Sequence, residues 1–148
     1  MDILPLFLAY AQAFEETYKD DDWSRLHQYF APDAVYEVRA RSFGCRLVGP
    51  DAIFAGIKKS LDGFDRRFDA REVAITTAPE VTGDELRVGW EVTYRKAGLA
   101  PFVLVGRSSA RYAGGRIVQL VDAYEPAVER AFADWQRENR MAIDPSYV

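Results

Sequence analysis

The hydrophobic pattern of this sequence changes its period near residue 68. Before that point apolar residues recur every three or four positions, as on the buried face of a helix. After it they alternate, as in strands with two different faces. Glycine-containing turns at 83–84, 98–101 and 114–115 divide this second part into four segments. The pattern therefore predicts four consecutive antiparallel strands.

Three helices and two short strands are predicted before the change of period. Helical spacing is shown by Phe7, Tyr10, Phe14 and Tyr18, then by Trp23, Leu26, His27 and Phe30, and then by Ile53, Phe54, Ile57, Leu61 and Phe64. Pro32 closes the second helix, Pro50 begins the third and Gly63 ends it. Residues 34–40 alternate like a strand, and residues 43–49 predict its partner.

A last helix is predicted from Pro126, followed by a loose tail over residues 141–148. Helices segregated from antiparallel strands predict an α+β fold, with helices on one face of a curved, mostly antiparallel sheet. We expect one domain spanning residues 1–148. In the third strand of the series both faces are apolar, because Phe102 and Leu104 on one face alternate with Val103 and Val105 on the other. Both faces should then be covered, one of them by a second copy of the chain, which predicts a homodimer.

Composition excludes several classes of function. The net charge is −4 and no long basic run occurs, which argues against a nucleic-acid partner. One histidine and one cysteine cannot build a typical zinc site, and we predict neither a metal nor another cofactor. No apolar run is long enough for a membrane span, and the start of the chain lacks the basic region of a signal peptide. A lone cysteine fits a reducing compartment, so we expect a cytoplasmic protein.

Asp122 is the most informative single residue, because its carboxylate interrupts an apolar strand. It shares a strand phase with Val118, Leu120 and Tyr124, so apolar surroundings should raise its pKa towards the range useful for proton transfer. The alternative is an ion pair with Arg107 on the preceding strand, which would lower that pKa. The sequence leaves both interpretations open.

Two segments resemble a known superfamily. The first is FEETYKDDDWSRLHQYFAPDAVYE followed by GPDAIFAGI, and the second is GGRIVQLVDAYEP. Both are similar to the nuclear-transport-factor-2-like proteins, especially to SnoaL-like polyketide cyclases and limonene-epoxide-hydrolase relatives. The resemblance implies a cone-shaped fold in which three helices of the N-terminal half and a C-terminal helix close a deep apolar cavity. The implied cavity residues are Tyr10, Phe14, Tyr18, Val38, Phe54, Ile57, Leu61, Val88, Trp90, Val103, Val105 and Tyr124.

The resemblance also limits the chemistry. The positions that carry the tyrosine, the base and the second acid of ketosteroid isomerases are apolar here: Phe14, Val38 and a position near Val105. Of the epoxide-hydrolase constellation, Asp122 and Tyr36 match, whereas its arginine falls near Gly89 and its second acid falls on Glu91. The cyclase pattern depends chiefly on one aspartate in the last strand, which Asp122 matches directly.

Three functions remain possible on the sequence alone. The first is a general acid–base enzyme acting on a small, largely apolar molecule by isomerisation, cyclisation, dehydration or epoxide opening. Its predicted catalytic residues are Asp122 as proton carrier, Tyr36 or Tyr10 as an orienting hydroxyl, and Arg107 as either an electrostatic stabiliser or an anchor for a substrate oxyanion. The second is a non-catalytic protein that binds a ligand in the same cavity, and the third is a dimerisation or assembly module.

Overall fold

The computed structural model describes residues 2–148. Three α-helices span Ile3–Asp20 (α1), Pro50–Gly63 (α2) and Pro126–Asn139 (α3), and 3-10 segments span Trp23–Tyr29 and Asp65–Arg67. The strands are Phe30–Arg39 (β1), Cys45–Val48 (β2), Ala70–Thr82 (β3), Glu85–Arg95 (β4), Phe102–Ala113 (β5) and Arg116–Ala123 (β6). The predicted α+β class and the four-strand meander are confirmed.

The strands form one sheet within residues 2–148, in the order β2-β1-β6-β5-β4-β3. Neighbouring strands are antiparallel, except that β1 and β6 run parallel. This parallel pair brings the first strand beside the last one, with Val38 opposite Asp122. As a result, residues that are more than 80 positions apart in sequence meet in the middle of the sheet.

The helices cover one face of the sheet, which we call the inner face. The main core lies there and contains fully buried side chains from several elements: Leu26, Phe30, Ile53, Leu86 and Ile117. A second apolar cluster lies under α3, where Trp135 packs on Phe102 and Phe68. No helix within residues 2–148 is long and apolar enough to cross a membrane.

The second predicted helix is shorter and tighter than expected. It is a 3-10 segment that ends at Tyr29, and β1 begins at Phe30, four residues before the predicted strand. The prediction that Phe30 belongs to the helix was therefore wrong. Phe30 pairs with Ile117, and the register shifts between Phe30 and Val35, on either side of Pro32. Proline lacks the N–H that a regular ladder requires, so the strand is irregular there.

The C-terminal residues differ from the predicted loose tail. Residues 141–148 form neither helix nor strand, but Ile143 is buried and the segment lies along α2. The Asp144 amide donates to the Gly63 carbonyl at 2.9 Å, and the Ser60 hydroxyl donates to the Pro145 carbonyl at 2.7 Å. The missing side chain of Gly63 allows this approach, because a Cβ atom there would overlap the Asp144 carbonyl oxygen. We call residues 141–148 the C-terminal strap.

Replacing Gly63 with alanine should destabilise the protein by about 1–3 kcal/mol, as is usual for an added methyl group in a filled site. The free energy of unfolding is measured by urea denaturation, with circular dichroism as the signal. In a chain that ends at Ile143 the same substitution should instead stabilise by up to about 1 kcal/mol, because alanine is favoured over glycine in helices. An equal loss of stability in both chains would contradict the proposed contact.

Candidate functional site

A cavity of about 410 Å³ lies between the inner face of the sheet, the helices and the C-terminal strap. This volume lies in the range of small-molecule sites. Aromatic side chains from helices, strands and strap dominate its wall: Phe7, Tyr10, Phe14, Tyr36, Phe43, Phe64, Trp90, Tyr94, Tyr124, Phe132 and Tyr147. The cavity wall is therefore largely apolar and holds only a few polar groups.

Asp122 lies in this wall and accepts two short hydrogen bonds. The Tyr36 hydroxyl donates to Oδ2 at 2.6 Å, and the Ser108 hydroxyl donates to Oδ1 at 2.6 Å. Both donors are placed by the sheet, because Tyr36 lies on the neighbouring strand β1 and Ser108 lies opposite Asp122 on β5. The two strands thus hold the carboxylate between two hydroxyl groups.

The direction of the Ser108 hydrogen bond is fixed by Trp90. Its indole Nε1–H donates to the Ser108 hydroxyl oxygen at 2.8 Å, and an indole N–H has no acceptor capacity. Ser108 therefore accepts from Trp90 and directs its own hydrogen towards Asp122. Gly106 makes room for this arrangement, since a Cβ atom there would lie 2.6 Å from the Trp90 ring.

Burial raises the pKa of Asp122 above its ordinary value, and the hydrogen bonds from Ser108 and Tyr36 offset part of that increase. The accessible area of Asp122 is intermediate because its carboxyl group faces the cavity. Burial, with the nearby Asp122 charge as a further cause, also raises the pKa of the phenols of Tyr10, Tyr36, Tyr124 and Tyr147. These phenols therefore stay protonated, and Tyr36 is the one that donates to the Asp122 carboxyl group.

The predicted ion pair between Arg107 and Asp122 is not formed, and Arg107 does not face the cavity. Its side chain is 63% exposed on the opposite, outer face of the sheet and pairs with Glu125 at 2.5 Å. Val103 and Val105 share that face and are 45% and 43% exposed, so their predicted place in the cavity was also wrong. The inner phase of β5 is the other one, with Leu104 and Ser108 in the cavity wall.

Most of the other predicted cavity residues lie in the wall: Tyr10, Phe14, Tyr36, Ile57, Leu61, Val88, Trp90 and Tyr124. Three do not. Tyr18 lies outside and supports the guanidinium groups of Arg66 and Arg71 on its ring. Val38 is buried in the core, and Phe54 packs instead against Phe30, with ring centroids 5.4 Å apart.

A second polar group in the cavity wall was not predicted. Asp65 accepts hydrogen bonds from the Tyr94 hydroxyl at 2.7 Å and from Arg71 Nε at 3.1 Å. Arg71 also binds the Glu15 carboxylate, at 2.9 Å and 3.0 Å. Burial raises the pKa of Asp65, although the Arg71 charge counteracts it. Within residues 2–148 no three metal-ligating side chains converge.

The Ser108 hydrogen bond has a measurable consequence. Replacing Ser108 with alanine should raise the pKa of Asp122 further, because a donor to the charged form is lost. Carbon-13 NMR of the carboxyl group measures this change. Ser109→Ala is the matched control, since Ser109 pairs with Arg87 on the outer face. A pKa that falls or stays constant in Ser108→Ala would show that Ser108 does not donate to Asp122.

The fold is a cone of the nuclear-transport-factor-2-like class, in which a curved sheet and helices surround a cavity. Residues 11–120 match the SnoaL-like domain family. The chain therefore belongs to the SnoaL-like family, within the nuclear-transport-factor-2-like superfamily. No curated protein sequence matches it.

Solved structures with the same fold have low sequence identity. A hypothetical protein from Catenulispora acidiphila with a ketosteroid-isomerase-like fold, in complex with trimethylamine, is 18% identical with a TM-score of 0.60, over 80% of this chain and 87% of that one. A proposed polyketide cyclase from Xanthomonas campestris is 17% identical with a TM-score of 0.57, over 88% and 99%. An epoxide hydrolase from M. tuberculosis, similar to limonene-epoxide hydrolase, is 15% identical with a TM-score of 0.60, over 87% and 90%. At these identities the similarity establishes the fold.

Proposed function

We propose that this protein is an enzyme that binds a small, largely apolar molecule in its cavity and transfers a proton by means of Asp122. The observation that carries the proposal is the enclosed carboxyl group, whose pKa is raised by burial and which has only hydroxyl donors as partners. A carboxyl group with a raised pKa can both accept and donate a proton near neutral pH. The Tyr36 hydroxyl, which donates to Oδ2, is placed to orient the carboxylate.

Among the reactions of this family, those that need a single acid–base group fit the site best. Glu91, at the position of the second acid of the epoxide hydrolases, is paired with Val105 and shares its outer face. The arginine position of that constellation is Gly89. The acid at the epoxide-hydrolase position therefore lies on the opposite face of the sheet from Asp122 and cannot cooperate with it in epoxide opening. Isomerisation, cyclisation and dehydration require only that one group move a proton between two atoms of a bound substrate.

Hydrogen exchange tests this proposal without knowledge of the natural substrate. We expect the protein to accelerate deuterium incorporation from D₂O into cyclic ketones such as 2-decalone and cyclooctanone. The C–H bonds next to the carbonyl group of these ketones are acidic. Asp122→Asn should reduce the rate by about 100-fold or more, since general-base catalysis typically contributes that much. Asp33→Asn, which changes an exposed carboxylate, should leave it intact. Ketones that bind without faster exchange would favour the non-catalytic binding protein.

The outer face of the sheet supports a second proposal, a homodimer. Val103 and Val105 lie half-exposed there, with Glu91 opposite Val105 on β4 and Arg107 two residues beyond Val105 on β5. The ion pair of Arg95 with Glu72 lies on the same face, further along β4 and β3. A second copy brings the same apolar patch and both signs of charge, so a two-fold contact is self-complementary.

The predicted cytoplasmic location stays a prediction.

Sedimentation velocity tests the dimer. The protein should sediment as a dimer, and Val105→Glu should shift it to a monomer by placing a charge in the apolar patch. Val81→Glu is the control, because Val81 is similarly exposed but pairs with the inner-face residue Leu86. A monomeric wild-type protein at micromolar concentration would contradict this proposal.

A further inference from the structure

The acidic groups of the cavity wall outnumber the basic ones. Four carboxyl groups line it, those of Glu15, Asp65, Asp122 and Glu129, and Arg71 is the only basic residue in the wall. Arg71 binds both Glu15 and Asp65, so these three groups together carry one negative charge when ionised. The cavity wall as a whole therefore has an excess of negative charge.

Within the described residues, two of these four acids form no ion pair, Asp122 and Glu129. Glu129 accepts the amide hydrogens of Arg41 and Ser42 at the cavity rim, which lowers its pKa. Within residues 2–148 no lysine, arginine or histidine nitrogen lies within 4.0 Å of the Asp122 carboxylate. An enclosed carboxylate without a counter-charge is costly, and a cationic group brought by a ligand would remove that cost.

The Asp122 carboxylate has room for such a partner. An ionised carboxylate offers about four acceptor sites, and Tyr36 and Ser108 use one on each oxygen. Trp90 orients the Ser108 hydroxyl as a donor, so Oδ1 accepts a hydrogen from Ser108 and carries none of its own. The remaining acceptor sites suit an N–H⁺ donor from within the cavity, to which Asp122 is open.

Aromatic rings surround the same position. Trp90 and Tyr124 contact each other with ring centroids 5.8 Å apart, and Tyr36 and Tyr147 do so at the same distance. All four rings belong to the cavity wall. The faces of tryptophan and tyrosine rings attract alkylated ammonium groups, most strongly where water is excluded. An anion and several electron-rich rings in one cavity form a site for an organic cation.

We propose that the ligand of this cavity carries a protonated amine, whose N–H⁺ binds Asp122 while its alkyl groups pack against Trp90, Tyr124 and Tyr147. This inference rests on the proposed function in one respect, that Asp122 is the polar group that receives the ligand. It adds the substrate class, a small apolar molecule with a basic nitrogen. A neutral ligand would leave the Asp122 carboxylate without a counter-charge.

Two probes of equal shape test the inference. N,N-dimethylbenzylamine is protonated at neutral pH, and isobutylbenzene replaces its N–H⁺ by C–H. Their dissociation constants are measured at 150 mM NaCl from the Trp90 indole N–H signal in NMR spectra, which reports on occupation of the cavity. We expect the amine to bind about tenfold more tightly or better. In Asp122→Asn the preference should disappear, while Asp33→Asn should keep it.

The outcomes separate this inference from the proposed function. Equal binding of both probes, or tighter binding of isobutylbenzene, overturns the amine class but leaves catalysis by Asp122 intact if the ketone exchange reaction still depends on that residue. Failure of both probes to shift the Trp90 signal also overturns the amine class. If Asp122→Asn still prefers the amine, the aromatic rings of the cavity wall or Asp65, and not Asp122, select the cation. That result also overturns the proposal. If the wild-type protein does not accelerate deuterium exchange into the ketones but still prefers the amine, only the enzymatic function is overturned.

Discussion

Replacing Arg71 with methionine is expected to lower the free energy of unfolding by about 3–5 kcal/mol, the usual cost of removing one partner from a buried ion pair. Arg71 and Asp65 have side chains only 13% and 11% exposed, and their contact is 3.1 Å long. Methionine fills a similar volume but leaves the Asp65 carboxylate with the Tyr94 hydroxyl as its remaining side-chain donor. Urea denaturation at pH 7 measures the loss.

Two further variants make this prediction specific. Adding Asp65→Asn to Arg71→Met should recover a large part of the stability, because no uncompensated charge then stays buried. Arg95→Met is the matched control, since Arg95 pairs with Glu72 at the same distance of 3.1 Å but both side chains are half-exposed. Its cost should stay below about 1 kcal/mol. Equal losses in Arg71→Met and Arg95→Met would show that the buried charge is not what matters.

Asp122→Asn is expected to slow proton transfer by about 100-fold or more and to stabilise the folded protein at neutral pH. Burial raises the pKa of Asp122 in the folded state above its value in the unfolded chain, so the folded protein holds that proton more tightly. Stability contributed by this group is complete below the unfolded pKa of about 3.9 and falls as the pH rises through the folded pKa. Asparagine cannot ionise and does not suffer this loss.

The stability difference should therefore depend on pH in a defined direction. Near pH 3 the variant and the wild type should be similar, and above about pH 4 the variant should gain about 1.4 kcal/mol for each pH unit over which only the folded carboxyl group stays protonated. Urea denaturation between pH 3 and pH 8 tests this, with Asp33→Asn as a control that shows no such trend. A variant that becomes less stable than the wild type as the pH rises would mean that Asp122 is stabilised as an anion.

The change of period at residue 68 was sufficient to predict the class of fold. Alternation and glycine turns are local signals, and they placed β3 to β6 and the end of α2 at Gly63 correctly. The pairing of β1 with β6 depends on contacts between distant residues, and no local pattern encodes it. Phe30 was assigned to a helix because its spacing from Leu26 fits one, whereas its burial against Ile117 requires a strand.

The cavity was predicted less well than the fold, chiefly because β5 is apolar on both faces. Hydrophobic alternation cannot distinguish the inner from the outer phase in such a strand, and this ambiguity placed Val103, Val105 and Arg107 on the wrong face. Ser108 and Gly106 share the inner phase, and the need of a buried indole N–H for an acceptor was the available signal. Tyr147 and Arg71 carried no signal, because the strap has no periodicity and Arg71 opens a strand whose residues are mostly exposed.

The pKa of Asp122 in the free protein tests the central claim most directly. It is measured by carbon-13 NMR titration of the side-chain carboxyl carbon, assigned as the signal that disappears in Asp122→Asn. An acid in the cavity wall with hydroxyl partners alone should titrate above the ordinary value of about 3.9. A midpoint at or below 3.9 would show a solvated or cation-paired carboxylate, and it would contradict the assignment of Asp122 as the proton carrier.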